Sequence, residues 1–112
     1  MARRCLMRVA IHEGEELLGF ADLAASDPSM GVASGRFHPS PAYRADEHAN
    51  LIDGVYVGDR GNKLRVTSEG FGHIECHTIG IGDWPALGEI HVDLFGIISP
   101  AYADLQLPDF ES

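Results

Sequence analysis

A chain of 112 residues with 45% hydrophobic and 22% charged side chains has room for one compact domain and the apolar content to fold it, which excludes a disordered chain. No apolar run approaches the roughly 18 residues of a membrane span, and Arg8 and His12 interrupt the stretch behind the basic start at Met1–Arg4, so neither a membrane anchor nor a signal peptide is expected. Seventeen acidic against eight basic side chains give a formal charge of −9, and two cysteines, Cys5 and Cys76, are too few for a disulfide scaffold, so the expectation is a reduced cytoplasmic protein.

Period-two alternation dominates the chain. Cys5, Met7, Val9 and Ile11 alternate with Leu6, Arg8 and Ala10, which predicts a strand. Glu13-Gly14-Glu15 turns it into a second strand over Glu16–Leu23, with Leu17, Gly19, Ala21 and Leu23 on one face. Asp27-Pro28 marks a turn, and Gly31–His38 reads as a third strand stopped by Pro39. Ser40-Pro41 reads as a helix start, with Ala42, Ala45, Ala49 and Ile52 at helical spacing and Gly54 as the stop, so one short helix is expected near 41–53. Val55–Val57 and Leu64–Thr67 are expected to form a hairpin across Gly58–Asn62.

The last expected hairpin joins Gly72–Gly80 to Glu89–Phe95. Ile74, Cys76 and Thr78 share one face with Ile90, Val92 and Leu94. The other face carries His73, Glu75, His77 and Ile79 with Glu89, His91, Asp93 and Phe95. The tail Ile97–Ser112 reads as irregular, with Leu105, Leu107 and Phe110 available to pack. Ser40-Pro41-Ala42-Tyr43 recurs as Ser99-Pro100-Ala101-Tyr102, which is better explained by two strand exits using the same local chemistry than by duplication. The fold expected is a single domain over 1–112, mainly β: an antiparallel sandwich or small barrel of about six or seven short strands with one short helix.

Charge is uneven along the chain. Residues 1–65 hold every Lys and Arg and carry −1; residues 66–112 hold eight acids and no Lys or Arg, giving −8. Such a half repels nucleic acid and anionic membrane. A pairing symmetric about the 81–87 loop would set His77 opposite His91 and Glu75 opposite Asp93. His73, Glu75, His77 and His91 would then resemble a divalent-metal ligand set, although H-x-E-x-H on a strand is not diagnostic and a solvated face of cross-strand pairs explains it as well. Cys76 belongs with Ile74 on the apolar face and reads as a structural thiol. Gly80-Ile81-Gly82-Asp83-Trp84-Pro85 starts like a dinucleotide fingerprint but lacks the third glycine, and no phosphate loop, serine elbow or helical zinc motif is present. No cofactor and no catalytic residue is therefore assigned, and an enzyme is the less favoured reading.

The lone tryptophan, Trp84, lies between Asp83 and Pro85 at the expected tip, where it would serve either as an interface anchor or as a core plug. Arg36 and His38 share a strand face and could hold an anion, but pairing with the acidic half is the simpler role. The functional expectation is a binding protein of the inhibitor, immunity-protein or nucleic-acid-mimic kind. Its acidic C-terminal hairpin would meet a basic protein through Asp83, Trp84, Glu89 and Asp93, flanked by Glu75. The alternatives are a metal-binding or hydrolytic domain on the His/Glu face, and a structural homo-oligomer. Histidines in the acidic half predict weaker partner binding near pH 5.5 than at pH 8.

Overall fold

The computed structural model describes residues 7–108. Expectations resting on Cys5 and Phe110 lie outside those residues. Eight strands follow in chain order: β1 (Met7–Glu13), β2 (Glu16–Asp27), β3 (Val32–Pro39), β4 (Leu51–Ile52), β5 (Val55–Tyr56), β6 (Leu64–Ser68), β7 (Gly72–Trp84) and β8 (Glu89–Ser99). One helical turn, α1 (Ala45–His48), lies between β3 and β4.

Six of these strands close on themselves. Antiparallel pairing runs β1–β2–β3–β8–β7–β6 and returns to β1, forming a small barrel. The period-two alternation of Val9 and Ile11, of Ala21 and Leu23, and of Val92 and Leu94 sends these side chains inside, where each is essentially inaccessible. Each buried Leu or Ile contributes about 1.5–3 kcal/mol relative to exposure, so the closed wall is the main stabilising unit of the fold.

Closure needs strands that bend, and three local devices provide it. At Ile11/His12 the β1–β2 register shifts, and the extra residue, Leu18, is buried completely. At Gly35 a Cβ would lie 1.8 Å from the Asp22 carbonyl oxygen, so β2 and β3 approach only because no side chain is there. At Gly96, φ is 64°, and β8 changes faces: Val92 and Leu94 point inward before it, and Ile97 after it.

The structure replaces the expected helix over 41–53 with something shorter. Only Ala45–His48 is helical, and the chain then enters a two-stranded ribbon in which Leu51 pairs with Tyr56 and Ile52 with Val55. Asp53 (φ 48°) and Gly54 (φ 84°) make the two-residue turn, the residue pair such a turn requires. An apolar helix face made largely of alanine is weak, and the turn chemistry wins. The expected hairpin of Val55–Val57 with Leu64–Thr67 is likewise not formed. β5 pairs only with β4, while β6 fills the barrel between β1 and β7. β4 in turn lies parallel to the end of β7, with Leu51 beside Gly82 and Ile52 beside Asp83.

The two Ser-Pro-Ala-Tyr segments follow β3 and β8 and close opposite ends of the barrel. Tyr43 donates to Asp83 at one end and Tyr102 to the Val32 carbonyl at the other. Both rings pack against the core. The shared sequence is shared plugging chemistry at two strand exits.

Candidate interaction surface at one end of the barrel

β7 and β8 meet in a tight turn over 85–88, held by Leu87 N–H to the Trp84 carbonyl (2.9 Å) and Gly88 N–H to the Pro85 carbonyl (3.2 Å). The β4–β5 ribbon docks against this turn. Asp53 N–H donates to the Asp83 carbonyl at 2.8 Å, and the Asp53 carboxylate accepts from Ala86 N–H at 3.2 Å. The Trp84 ring covers Gly54, where a Cβ would lie 3.3 Å away. Trp84 is therefore half-buried between turn and ribbon, neither a free anchor nor a member of the barrel core.

Apolar side chains accumulate on this end and face outward. Val55, Tyr56 and Leu87 are 64%, 65% and 68% exposed, with Leu51 and Val57 also exposed beside them. The chain from 44 to 60 that carries the ribbon has four acids (Asp46, Glu47, Asp53 and Asp59) against Arg44 and Arg60. Arg60 binds the backbone carbonyls of Asp46 and Val57 instead of a carboxylate. The end thus combines exposed apolar side chains with an excess of acidic ones.

Beneath it runs a polar network. Tyr43 donates to Asp83 Oδ2 at 2.8 Å, packs edge-on to Phe37 (5.3 Å between ring centres) and lies 5.7 Å from the His48 ring. Burial, reinforced by Asp83, pushes the Tyr43 phenol far above its ordinary value, so it remains a donor. His48 is buried; its Nδ1 accepts the Arg44 N–H at 2.9 Å, which leaves the ring proton on Nε2 to donate to Glu13 at 3.0 Å. Glu13 also pairs with Lys63 at 3.2 Å. The hydrogen bond from His48, then that from Lys63, holds the Glu13 carboxyl below its usual range.

A cleft of about 460 Å³ opens beside this end between β3 and the β7–β8 turn, lined by Phe37, Pro39, Pro85 and Ile90 together with Asp83 and the Arg36–Glu89 pair.

The five sequence-nominated binding residues do not assemble into one face. Glu89 is bound by Arg36 at 2.6 Å and by His91 at 3.2 Å, so its charge is largely matched. Asp93 accepts from Ser34, which also bonds Ser26. Asp83 is not at an exposed tip: it points inward and is only 8% exposed. Glu75 pairs with Ser99, nine residues from Trp84 along β7, roughly 30 Å at about 3.3 Å per residue. Trp84 and Asp83 remain in the end surface and its cleft, Glu89 sits on the cleft rim, and Glu75 and Asp93 are elsewhere.

The expected register is also corrected. His91 pairs with Gly82 and Asp93 with Gly80, because β7 runs as strand past Gly80 through Ile81 and Gly82 to Trp84, into residues expected to form the 81–87 loop. Those glycines have a packing cause: a Cβ at Gly80 would meet the Phe95 ring, and one at Gly82 the Trp84 indole. His77 lies across from Gly96 instead of His91. Among the described residues no group of three or more His, Cys, Asp or Glu side chains is placed to hold a metal ion.

Arg36 takes the intramolecular role, pairing with Glu89, and His38 faces Asp22 at 3.5 Å. The half-buried Cys76 thiol is pushed up to about 11 by burial and then by Glu75, consistent with an unreactive structural position. The residues missed were Glu13, Tyr43, His48 and the ribbon. The available signal was Asp53-Gly54 between two apolar pairs, Leu51-Ile52 and Val55-Tyr56. Comparison of the chain with family models, curated proteins and solved structures gives no match.

Proposed function

We propose that this barrel is a non-catalytic binding protein of the inhibitor or immunity-protein type, and that it engages a basic protein surface through the end where the β4–β5 ribbon meets the β7–β8 turn. The carrying observation is that Val55, Tyr56 and Leu87 are exposed on a ribbon and a turn that dock together, with Asp46, Asp53 and Asp59 in the stretch that carries the ribbon. Apolar and aromatic residues at the centre of a polar rim are the usual composition of an interface, and tyrosine is enriched among its strongest contacts. Carboxylates without intramolecular cations favour a basic partner and rapid, salt-sensitive association. The acidic hairpin thus contributes through its tip, while on its wall Arg36 of β3 pairs with Glu89 and Ser34 binds Asp93.

The test is capture by the immobilised protein at low and high salt, comparing the native chain with a Tyr56→Ala/Leu87→Ser variant. A basic protein is expected to be retained by the native chain at low salt, to elute as salt rises, and to bind the variant at least about tenfold more weakly, as loss of a central contact implies. Retention that ignores both salt and the double substitution overturns the proposal.

A further inference from the structure

We infer that the cleft beside this surface receives one cationic side chain, the ammonium of a lysine or the guanidinium of an arginine, with Asp83 as its counter-charge. The inference rests on the basic-partner reading and specifies its chemistry. The starting observation is an imbalance. Glu13 is met by Lys63 and His48, Asp22 by Arg8 and His38, and Glu89 by Arg36 and His91. Asp83 is more buried than any of these. Yet among the described residues no Lys, Arg or His lies within ion-pair distance of it, and its one side-chain hydrogen bond comes from the neutral Tyr43 hydroxyl. A buried carboxylate is as a rule paired, because desolvation is unfavourable without a counter-charge.

The space next to Asp83 suits the missing cation. The cleft of about 460 Å³ falls within the roughly 300–1,000 Å³ typical of ligand pockets, and lies at the mouth of a barrel. Phe37, Pro39, Pro85 and Ile90 give it apolar walls for a methylene stem, while Asp83 and Glu89 supply carboxylates for the charged head. The two basic side chains on the lining are engaged elsewhere: Arg36 is held by Glu89 at 2.6 Å, and His38 faces Asp22 at 3.5 Å. An anion would meet Asp83 without a free cation to bind it. The turn over 85–88 forms one wall of the cleft and also carries Leu87, so a single partner can reach both.

The experiment is a titration of the isotopically labelled full chain at pH 7.5, followed by amide NMR, with three blocked amino acids: N-acetyl-lysine, N-acetyl-arginine and N-acetyl-norleucine N-methylamides. The lysine or arginine probe is expected to move the amides of Asp83, Trp84, Glu89 and Ile90 saturably. Norleucine, with an uncharged stem of similar length, should bind at least tenfold more weakly. Asp83→Asn should abolish the response to the cationic probes. Equal response to norleucine and lysine, cationic shifts that spread over exposed acids such as Glu75 without saturating, or retained binding in Asp83→Asn each overturns the inference. The lysine–norleucine contrast uses the native chain, so it decides the matter even if Asp83→Asn fails to fold. A negative result here combined with Tyr56/Leu87-dependent capture removes the cleft and leaves the proposed interface standing.

Discussion

The wall formed by β1, β2, β3 and β8 and the end formed by the β4–β5 ribbon and β7–β8 turn follow opposite rules. Across the wall, Arg8, Asp22, Arg36 and His91 stand in register on four successive strands. Arg8 makes a two-bonded fork with Asp22 (2.9 Å each), and Arg36 binds Glu89. The outer face carries these ion pairs, and the inner face is apolar. At the end, apolar side chains face solvent, and among the described residues Asp46, Asp53 and Asp59 have no ion pair and the buried Asp83 carboxylate has a neutral side-chain donor. The lesson concerns the net charge. The chain's basic and acidic halves are not wholly separate fields, because β3 pairs with β8 and Arg36 of the first half meets Glu89 of the second. Among the described acids without an ion pair, Asp46, Asp53, Asp59 and Asp83 lie at the ribbon end.

If the wall is the structural unit, substitutions there should cost most. Gly35→Ala places a Cβ against the Asp22 carbonyl and should destabilise the chain by about 3 kcal/mol or more, at the upper end of overpacking effects. Gly70→Ala, with nothing within 4 Å and no positive φ, should stay within about 0.5 kcal/mol. Urea denaturation of the pair measures the contrast, and equal midpoints would contradict it. At the junction of the two regions, Tyr43→Phe strips Asp83 of its donor and should cost about 1–3 kcal/mol, read by thermal denaturation; an unchanged midpoint would show that the hydroxyl contributes nothing.

The smallest expected effect is a pH slope. Glu13 has its carboxyl lowered in the folded state from an ordinary 4.5, first by His48 and then by Lys63. A depressed folded value means stability that is fully present above about pH 4.5 and lost as pH falls through the folded value. Glu13→Gln should therefore lose less stability than the native chain between pH 6 and pH 3. Parallel curves would show that the network beneath the end does not couple to protonation. Asp22, lowered chiefly by the Arg8 hydrogen bond, leaves a residual slope in both chains.

Local alternation made β1, β2, β3 and β8 legible, and with them the β-rich single domain. Closure was not, because the β1–β6 and β3–β8 pairings join segments distant in sequence and leave no local period. Asp83 shows how a site is misplaced by a correct pattern. A strand ending at Gly80 leaves Asp83 in the 81–87 loop, at the expected solvent-facing tip. β7 changes faces between Cys76 and Ile79, so Ile79, Ile81 and Asp83 all turn inward. Trp84 was legible as unusual but not as half-covered, since its neighbour Gly54 belongs to a ribbon read as helix. The Arg36 pairing was legible from charge alone.

Under the proposed function, recognition belongs to one exposed apolar group and not to another. Phe95 and Ile98, with Met30 beside them, also expose apolar surface, at the far end of β8. The most direct measurement is partner capture and thermal midpoint for Tyr56→Ser/Leu87→Ser set beside Phe95→Ser/Ile98→Ser. The account predicts that the first pair loses the basic partner and the second keeps it, with both chains folded. Retained capture in the first pair and loss in the second would contradict it.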